Sequence, residues 1–372
     1  MKICLIAKNL EIRDGWGSYA RSLVLGLLKN NIEVEVLIAY DQPESDINNL
    51  KVQKILPPLF VSRFKKIFYL FKNYFKIKKI INNCDLAHII VEPYSALLYP
   101  LIKNKPYVIT AHGTYAIHPL TKKYLFKIYK KIYAKAKKII CISKFTQTKL
   151  LNKIKLNNTC VIHNGVDLSK FIVNNNILKI KKEFQFFSVG VIIARKGYHL
   201  VIFALGKFKK FRPDFKFKYI ILGKIYNQAY YQDLLKIIKE NNLENEVVFK
   251  QDLAEQELSK LYQSSDLFIL VPEEQGQTKF EGFGLVYLEA MAVGLPVLAS
   301  INSAAKEFIY DKQNGFLTEP DVEKIYFKIN EILSDKELFN KIGNNGQITV
   351  KKFDWNIVVQ KYIKIYESAR AS

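Results

Sequence analysis

Two glutamates separated by seven residues lie in the part of the chain best suited to chemistry. Glu281 belongs to a glycine-rich loop, and Glu289 falls inside a predicted helix that starts near Leu285 and ends at Gly294. Carboxylates accept hydrogen bonds from paired hydroxyls of a sugar or ribose, and the free amides of a first helical turn bind phosphate. Because an ionised glutamate among apolar residues is costly without a partner, the segment predicts a ligand site.

Three further loops carry residues that suit phosphate or hydroxyl groups. Arg195 and Lys196 precede a predicted helix and offer fixed positive charge for a diphosphate. Gly15 and Gly17, between the first strand and its helix, let the backbone approach a phosphate. His112 follows a strand and can donate a hydrogen bond. Each signal alone has an ordinary alternative: a surface Arg-Lys pair, a tight turn or a structural histidine.

Several kinds of site are not indicated. The five histidines show no metal-ligand spacing, and the sequence has neither a Gly-Lys-Ser/Thr phosphate loop nor a His-Glu-x-x-His motif. We therefore expect no bound metal and no cofactor. The four scattered cysteines form no CxxC pair, which favours a reducing, cytoplasmic setting. No apolar run reaches the roughly 18 residues of a membrane-spanning helix, and residues 2–7 read as a buried strand rather than a signal peptide.

The elements that must position these loops alternate between strands and helices. At 372 residues and 49% hydrophobic composition, the chain predicts two to three domains with large cores. Two strand series, separated by an Asn-rich link at 173–176, predict two parallel sheets covered on both faces, with a cleft between them and ligands at the carboxyl ends of the strands. The predicted strands span 2–7, 33–39, 87–91, 107–111, 138–142, 159–163, 186–191, 218–222, 247–250, 267–271 and 296–299. The predicted helices span 18–29, 198–209, 229–241, 255–263 and 285–293.

The positive charge is concentrated in the first half of the chain. Residues 1–175 hold 29 of the 57 Lys and Arg residues but only 10 of the 34 Asp and Glu residues, and the net charge is +23. Residues 47–84 and 121–155 contain no acid. Helical spacing in the first of these stretches gathers six apolar or aromatic side chains on one face: Phe64, Ile67, Phe68, Phe71, Tyr74 and Phe75. Lysines lie beside them, and residues 122–138 repeat the mixture; the candidate surface lysines are Lys65, Lys72, Lys76, Lys79, Lys130 and Lys131.

Basic helices rich in aromatic residues suit the surface of an anionic membrane. The alternative is that the rings pack in the core while the lysines are simply solvated. Nucleic acid is the least favoured partner, because the sequence contains no known binding motif.

Taken in order, these elements resemble the family-4 retaining glycosyltransferases of GT-B fold, also called glycosyltransferase group 1. The distinctive part is the Glu281 to Glu289 segment with its glycines and its Gly-x-Pro-Val ending. Supporting matches spread over nearly the whole chain: Ile142-Ser143, Asn164-Gly165-Val166-Asp167 followed by Phe171, Lys196-Gly197, Leu222-Gly223, Leu261-Tyr262 followed by Asp266-Leu267-Phe268-Ile269-Leu270, and Phe353-Asp354-Trp355. The resemblance implies an α/β protein of two Rossmann-like domains with parallel sheets facing a deep cleft. It places an acceptor-binding domain at 1–172, a nucleotide-sugar-binding domain at 173–353, and a final helix at 354–372 that crosses back to the first domain.

The resemblance also implies roles for single residues. Arg195 and Lys196 would hold the diphosphate, Glu289 the ribose hydroxyls and Glu281 the hydroxyls of the transferred sugar. The amides of Phe283, Gly284 and Leu285 would meet the sugar and the distal phosphate, Gly15 and Gly17 would lie near the diphosphate, and His112 near the anomeric centre. The implied catalytic residues are His112, Glu281 and Lys196.

The expected activity is retaining, metal-independent transfer of a hexose from a nucleotide-diphosphate sugar. The basic first half favours a lipid-linked or membrane-surface acceptor, in cell-envelope glycan or glycolipid synthesis, at the inner face of the membrane. One alternative is a soluble acceptor. Another is a catalytically weak protein that only binds nucleotide sugar or an anionic surface, because Val191 stands where the family often has arginine.

Overall fold

A computed structural model describes residues 1–12, 14–171 and 183–371 of the chain. The link predicted at 173–176 lies outside the described residues. The chain forms two compact units, one of Met1–Gly165 with Trp355–Ser372 and one of Val166–Asp354. In this division the first unit ends at Gly165 and resumes at Trp355, so the final helix belongs to the first unit.

The first unit is built around a parallel sheet. Its described strands are β1 (Lys2–Ile6), β2 (Glu33–Ala39), β3 (Lys51–Leu56), β4 (Leu86–Ile89), β5 (Tyr107–Ala111), β6 (Lys138–Cys141) and β7 (Thr159–Val161), in the order β3-β2-β1-β4-β5-β6-β7. Every pairing between neighbours is parallel. The inner strands β1, β4 and β5 are almost wholly buried, as expected for a sheet covered on both faces. The helices that follow these strands are α1 (Gly15–Lys29), α2 (Arg63–Asn82), α3 (Pro93–Ile102), α4 (Thr114–Ile117), α5 (Lys123–Lys135) and α6 (Lys144–Leu151).

The second unit repeats the same architecture. Its described strands are β8 (Phe184–Val189), β9 (Phe217–Leu222), β10 (Val247–Lys250), β11 (Leu267–Leu270), β12 (Val297–Ser300) and β13 (Phe316–Thr318), in the order β10-β9-β8-β11-β12-β13. Its helices are α7 (Tyr198–Phe211), α8 (Gln228–Glu240), α9 (Glu255–Ser264), α10 (Leu285–Ala292), α11 (Val322–Ser334) and α12 (Lys336–Val350). Both strand orders reverse after the first strand of the unit, as in Rossmann-like sheets, so the loops after β1 and β8 lie at switch points where ligands bind.

The last helix, α13 (Trp355–Ala371), packs against α1 and β4 in the first unit. A buried network of hydrogen bonds anchors it. His88 Nδ1 lies 2.7 Å from the Tyr366 hydroxyl, and His88 Nε2 lies 2.7 Å from Thr110 Oγ1. Burial lowers the pKa of His88 to about 3, so its ring is neutral and can bond both partners. His88 therefore has a structural role.

Candidate functional site

The switch point of the second unit gathers one carboxylate and two cations. Lys196 Nζ lies 2.7 Å from Glu281 Oε2, and Arg195 Nη1 lies 3.0 Å from the same oxygen. Arg195 also donates to the carbonyl of Phe280 at 3.1 Å. Only 10% of the Lys196 side chain and 13% of the Glu281 side chain are exposed. Residues that are far apart in the sequence thus form one compact, largely buried cluster.

The charge state of Glu281 follows from these neighbours. Burial alone would raise the pKa of Glu281, but Lys196 and Arg195 outweigh burial and lower that pKa to about 2. Glu281 is therefore ionised at neutral pH, and the three side chains together carry one net positive charge. Among the described residues, no group of three His, Cys, Asp or Glu side chains is arranged to hold a metal ion.

The loop between Glu281 and α10 depends on glycine. Gly284 has φ +84°, and a Cβ atom there would lie 2.4 Å from the ring of Tyr287. The Tyr287 hydroxyl in turn donates to the carbonyl of Leu270, at the end of β11, over 2.7 Å. The Phe283 ring is buried and packs 5.0 Å from the ring of Phe308. These contacts fix the turn so that α10 begins at Leu285, beside the Glu281 loop.

Glu289 lies one turn into α10 and has a buried partner. The hydroxyl of Tyr262, on α9, donates to Glu289 Oε2 at 2.7 Å. Burial raises the pKa of Glu289, and the hydrogen bond from Tyr262 partly opposes this. Tyr262 thereby fixes the orientation of the carboxylate. The sequence places Tyr262 in one of the motifs that support the family resemblance, but it does not predict the contact with Glu289, because the two residues are far apart along the chain.

In the first unit, Asp14 in the loop before α1 caps the N-terminus of that helix. Asp14 Oδ1 accepts hydrogen bonds from the amides of Trp16 and Gly17, each at 3.0 Å, and Asp14 also pairs with Lys8. The two predicted glycines differ in their surroundings. A Cβ atom at Gly17 would lie 2.0 Å from Asn9 Oδ1, whereas a Cβ atom at Gly15 would have open space around it. Gly17 is therefore required by the packing of this loop.

This difference predicts opposite outcomes for two matched substitutions. We expect Gly17→Ala to lower the free energy of unfolding by about 1–3 kcal/mol, because the loop must move to relieve the overlap. Gly15→Ala, in the same helical turn, should leave stability unchanged or slightly higher. Denaturant unfolding of both variants measures this, and equal stabilities would contradict the expectation.

His112 lies at the end of β5, next to a buried carboxylate. Its backbone N–H donates to Glu92 Oε1 at 2.6 Å, and its ring meets the ring of Tyr19 edge-on with centroids 4.7 Å apart. Burial lowers the pKa of His112 to about 4, so the ring is neutral near pH 7. Its Nε2 atom is buried and has no hydrogen-bond partner among the described residues. An unpartnered buried nitrogen at a strand end is available to a bound molecule.

Glu92 is a buried carboxyl group that the sequence reasoning missed. It is fully buried, and its Oε2 atom has no partner within the described part of the chain. Burial raises the pKa of Glu92 to about 8, despite the hydrogen bond from His112. The available signal was composition, because Glu92 is the sole acidic residue between 86 and 166 and directly follows an apolar run.

The two basic helices differ in what they bury. On α5, Tyr129, Ile132 and Tyr133 are buried in the core, whereas Tyr124 is 70% exposed and Lys130 and Lys131 are exposed as well. On α2, the aromatic face is exposed instead, together with Lys65, Lys72, Lys76 and Lys79. The core-packing alternative is therefore right for the buried rings of α5 and wrong for α2. Among the described residues, no helix combines the length and apolar composition that crossing a bilayer requires.

Comparison with known proteins agrees with this architecture. The model of glycosyl transferases group 1 matches residues 171–349, and the model of glycosyltransferase family 4 matches residues 13–170. Among solved structures, a glycosyltransferase from Rickettsia africae has a TM-score of 0.81 at 21% identity, covering 99% of this chain and 98% of its own. Anabaena HepE in complex with UDP and glucose has a TM-score of 0.78 at 20% identity, with coverage of 99% and 100%. The fold is thus that of the GT-B glycosyltransferases.

Relatives by sequence then identify the family. An uncharacterised glycosyltransferase of Methanocaldococcus jannaschii is 30% identical over 349 residues, covering 91% of this chain and 90% of the relative. The GDP-mannose:cellobiosyl-diphosphopolyprenol alpha-mannosyltransferase of Xanthomonas oryzae is 25% identical over 301 residues, with coverage of 78% and 75%. The chain belongs to glycosyltransferase family 4, the glycosyl transferases group 1.

Proposed function

We propose that this glycosyltransferase moves a hexose from a nucleotide-diphosphate sugar to its acceptor with retention of configuration, and without a metal ion. The observation that supports this most is the convergence of Arg195 and Lys196 on Glu281, within 3.0 Å in a largely buried position. Two fixed cations can stabilise the negative charge that develops on a leaving diphosphate, which is the part a metal cation plays in other enzymes.

The cluster suggests how the donor would bind. A diphosphate carries more negative charge than one carboxylate, so it would draw Arg195 and Lys196 away from Glu281. Glu281 would then be free to accept hydrogen bonds from the hydroxyls of the sugar. Glu289, held by Tyr262, would accept from the ribose hydroxyls, and the amides of Phe283, Gly284 and Leu285 would meet the sugar and the distal phosphate.

The transfer itself needs no nucleophile from the protein. The bond between the anomeric carbon and the diphosphate oxygen breaks, and the acceptor oxygen bonds to that carbon on the same face. The acceptor's proton passes to the departing diphosphate. We assign Lys196 to the leaving group and the unpartnered Nε2 of His112 to the reacting sugar. In the first unit, Gly15 and Gly17 would let the backbone come close to the donor.

We propose a lipid-linked or membrane-surface acceptor. The first unit holds 31 of the 57 Lys and Arg residues and 10 of the 34 Asp and Glu residues, which gives it +21 of the total charge of +23. Such a surface favours an anionic partner. The mannosyltransferase from Xanthomonas is named for a diphosphopolyprenol acceptor. We therefore place the protein in cell-envelope glycan or glycolipid synthesis, in the cytoplasm and peripheral on the inner face of the membrane.

The donor site can be tested by thermal unfolding against UDP-, GDP-, ADP- and dTDP-sugars, in EDTA and in Mg²⁺. A donor at about 100 times its Kd should stabilise the wild type by about 2.7 kcal/mol, a shift of several degrees. Glu289→Ala should abolish this shift. Glu240→Ala, which changes an exposed glutamate at the end of α8, is the matched control and should keep it.

The outcomes separate the alternatives. One nucleotide stabilising the wild type equally in EDTA and Mg²⁺ supports the donor site and metal independence, and a shift that requires Mg²⁺ contradicts the latter. No stabilisation by any donor would favour the alternative in which the donor site is degenerate and the protein binds only an anionic surface. Transfer to soluble sugars but not to polyprenyl-diphosphate acceptors would contradict the proposed acceptor class.

A further inference from the structure

The outward face of α2 carries a row of exposed phenylalanine rings. Phe64, Phe68, Phe71 and Phe75 are 87%, 65%, 82% and 83% exposed. Their spacing of four, three and four residues places them on one face along about three turns of helix. We call these four residues the phenylalanine stripe. Phe60, in the segment before the helix, is also 75% exposed. Soluble proteins rarely leave a contiguous row of large apolar side chains in water unless it meets a partner.

The orientation of α2 follows from its opposite face. Ile77, Ile80 and Ile81 are buried, and the helix packs against β3 and α3. These contacts fix the helix on the first unit and hold the phenylalanine stripe toward the solvent. Within the described parts of the chain, no other element packs on the stripe, although the helix that carries it is anchored.

Charge identifies the partner. Lys65, Lys72, Lys76 and Lys79 are exposed along one flank of the stripe, and no acidic residue occurs between 47 and 84. We propose that α2 docks on an anionic lipid bilayer, with the phenylalanine stripe at the boundary between headgroups and acyl chains. The lysines then lie among the lipid phosphates. An anionic bilayer combines an apolar interior with negatively charged headgroups, which match the phenylalanines and the lysines of this face.

A second copy of this chain fits the face poorly. Two such faces packed together would bring eight of these lysines close to each other, with no acidic side chain from residues 47–84 to pair with them. The inference deepens the proposed function, and its biological sense rests on a membrane-surface acceptor. Its test uses neither donor nor acceptor, so failure of one proposal does not imply failure of the other.

The direct experiment is co-sedimentation of the full chain with vesicles of phosphatidylcholine, with and without phosphatidylglycerol. The wild type should bind the anionic vesicles in a salt-dependent manner. Replacing all four stripe residues with glutamine, which keeps helix propensity, should weaken binding by at least about tenfold. The triple variant Lys72→Gln, Lys76→Gln and Lys79→Gln should also weaken binding and reduce its salt dependence.

A matched control uses exposed phenylalanines elsewhere. Phe211 and Phe327, in the second unit, are 63% and 62% exposed. Their joint replacement with glutamine should leave vesicle binding unchanged. Because the stripe is exposed, its substitution should not unfold the protein, and the thermal unfolding midpoint checks this.

A spectroscopic variant tests insertion itself. The tryptophan of Phe71→Trp should shift its emission to shorter wavelength and be quenched by brominated lipids when vesicles are added, relative to the background of Trp16 and Trp355. Unchanged vesicle binding by the fourfold glutamine variant, or an unquenched tryptophan, would overturn the proposal. So would a wild-type dimer that dissociates on loss of the stripe, since a second copy would then cover the face.

Discussion

Replacing Lys196 with alanine is expected to lower kcat/KM by about 10²–10³, with the loss mainly in kcat. The ammonium of Lys196 lies at the switch point of the second unit and is only 10% exposed. A preorganised charge of this kind stabilises a leaving group more in the transition state than in the ground state. Steady-state kinetics with the donor identified by thermal unfolding, following nucleotide release, measures the effect.

The control separates catalysis from folding. Lys236→Ala removes an exposed lysine of α8 in the same unit and should leave kcat/KM unchanged. Lys196→Arg keeps the charge but changes its geometry and should recover part of the activity. Arg195 still contacts Glu281 in Lys196→Ala, so the variant should remain folded. A kcat/KM within about threefold of wild type would contradict the assignment of Lys196 to the leaving group.

Long, buried elements were predictable from the sequence. The predicted bounds of β2 and β5 agree with the structure, because each is a run of five or more residues that is almost wholly buried. The predicted bounds of β10, a four-residue strand at a sheet edge, agree as well. The two strands that were not predicted, β3 (Lys51–Leu56) and β13 (Phe316–Thr318), lie at sheet edges. Only two of the six residues of β3 are buried, and β13 has only three residues, so neither forms a hydrophobic run that stands out in the sequence.

The orientation of α2 could not be predicted. Helical periodicity shows that its rings share one face, but not whether that face meets the protein or the solvent. Here Ile77, Ile80 and Ile81, near the end of the helix, anchor it and turn the phenylalanines outward. On α5, the comparable rings of Tyr129 and Tyr133 are buried. The two helices have similar compositions, yet α2 exposes its phenylalanine rings and α5 buries these two tyrosine rings.

The candidate site was predictable only where its residues are neighbours in the sequence. The segment from Glu281 to Glu289 stands out because its glycines and glutamates are close together. The hydrogen bonds from Tyr262 to Glu289 and from His112 to Glu92 join different elements. Only the folded sheets bring these residues together, and burial is the largest cause of the pKa shifts of Glu92, His112 and Glu289.

Glu92→Gln is expected to remove a large pH dependence of stability. Burial raises the pKa of Glu92 from 4.5 to about 8, so between these pH values the folded protein holds a proton that the unfolded chain has lost. Stability therefore falls as the pH rises from about 4.5 to about 8, by about 1.4 kcal/mol per pH unit. Glutamine cannot ionise, so between pH 4.5 and pH 8.5 the free energy of unfolding of the variant should rise by on the order of 4–5 kcal/mol relative to that of the wild type.

The comparison of the two proteins isolates this one carboxyl group. His88 and His112, with pKa values lowered to about 3 and about 4, make stability rise with pH between about 4 and 6.5 in both proteins. Their contribution cancels in the difference between variant and wild type. The measurement is urea unfolding of each protein from pH 5 to pH 8.5. A difference that does not change with pH would mean that Glu92 is ionised throughout. A buried anion in the folded protein would then require a compensating partner beyond the amide of His112, because burying an unpaired carboxylate is far costlier than burying the protonated acid.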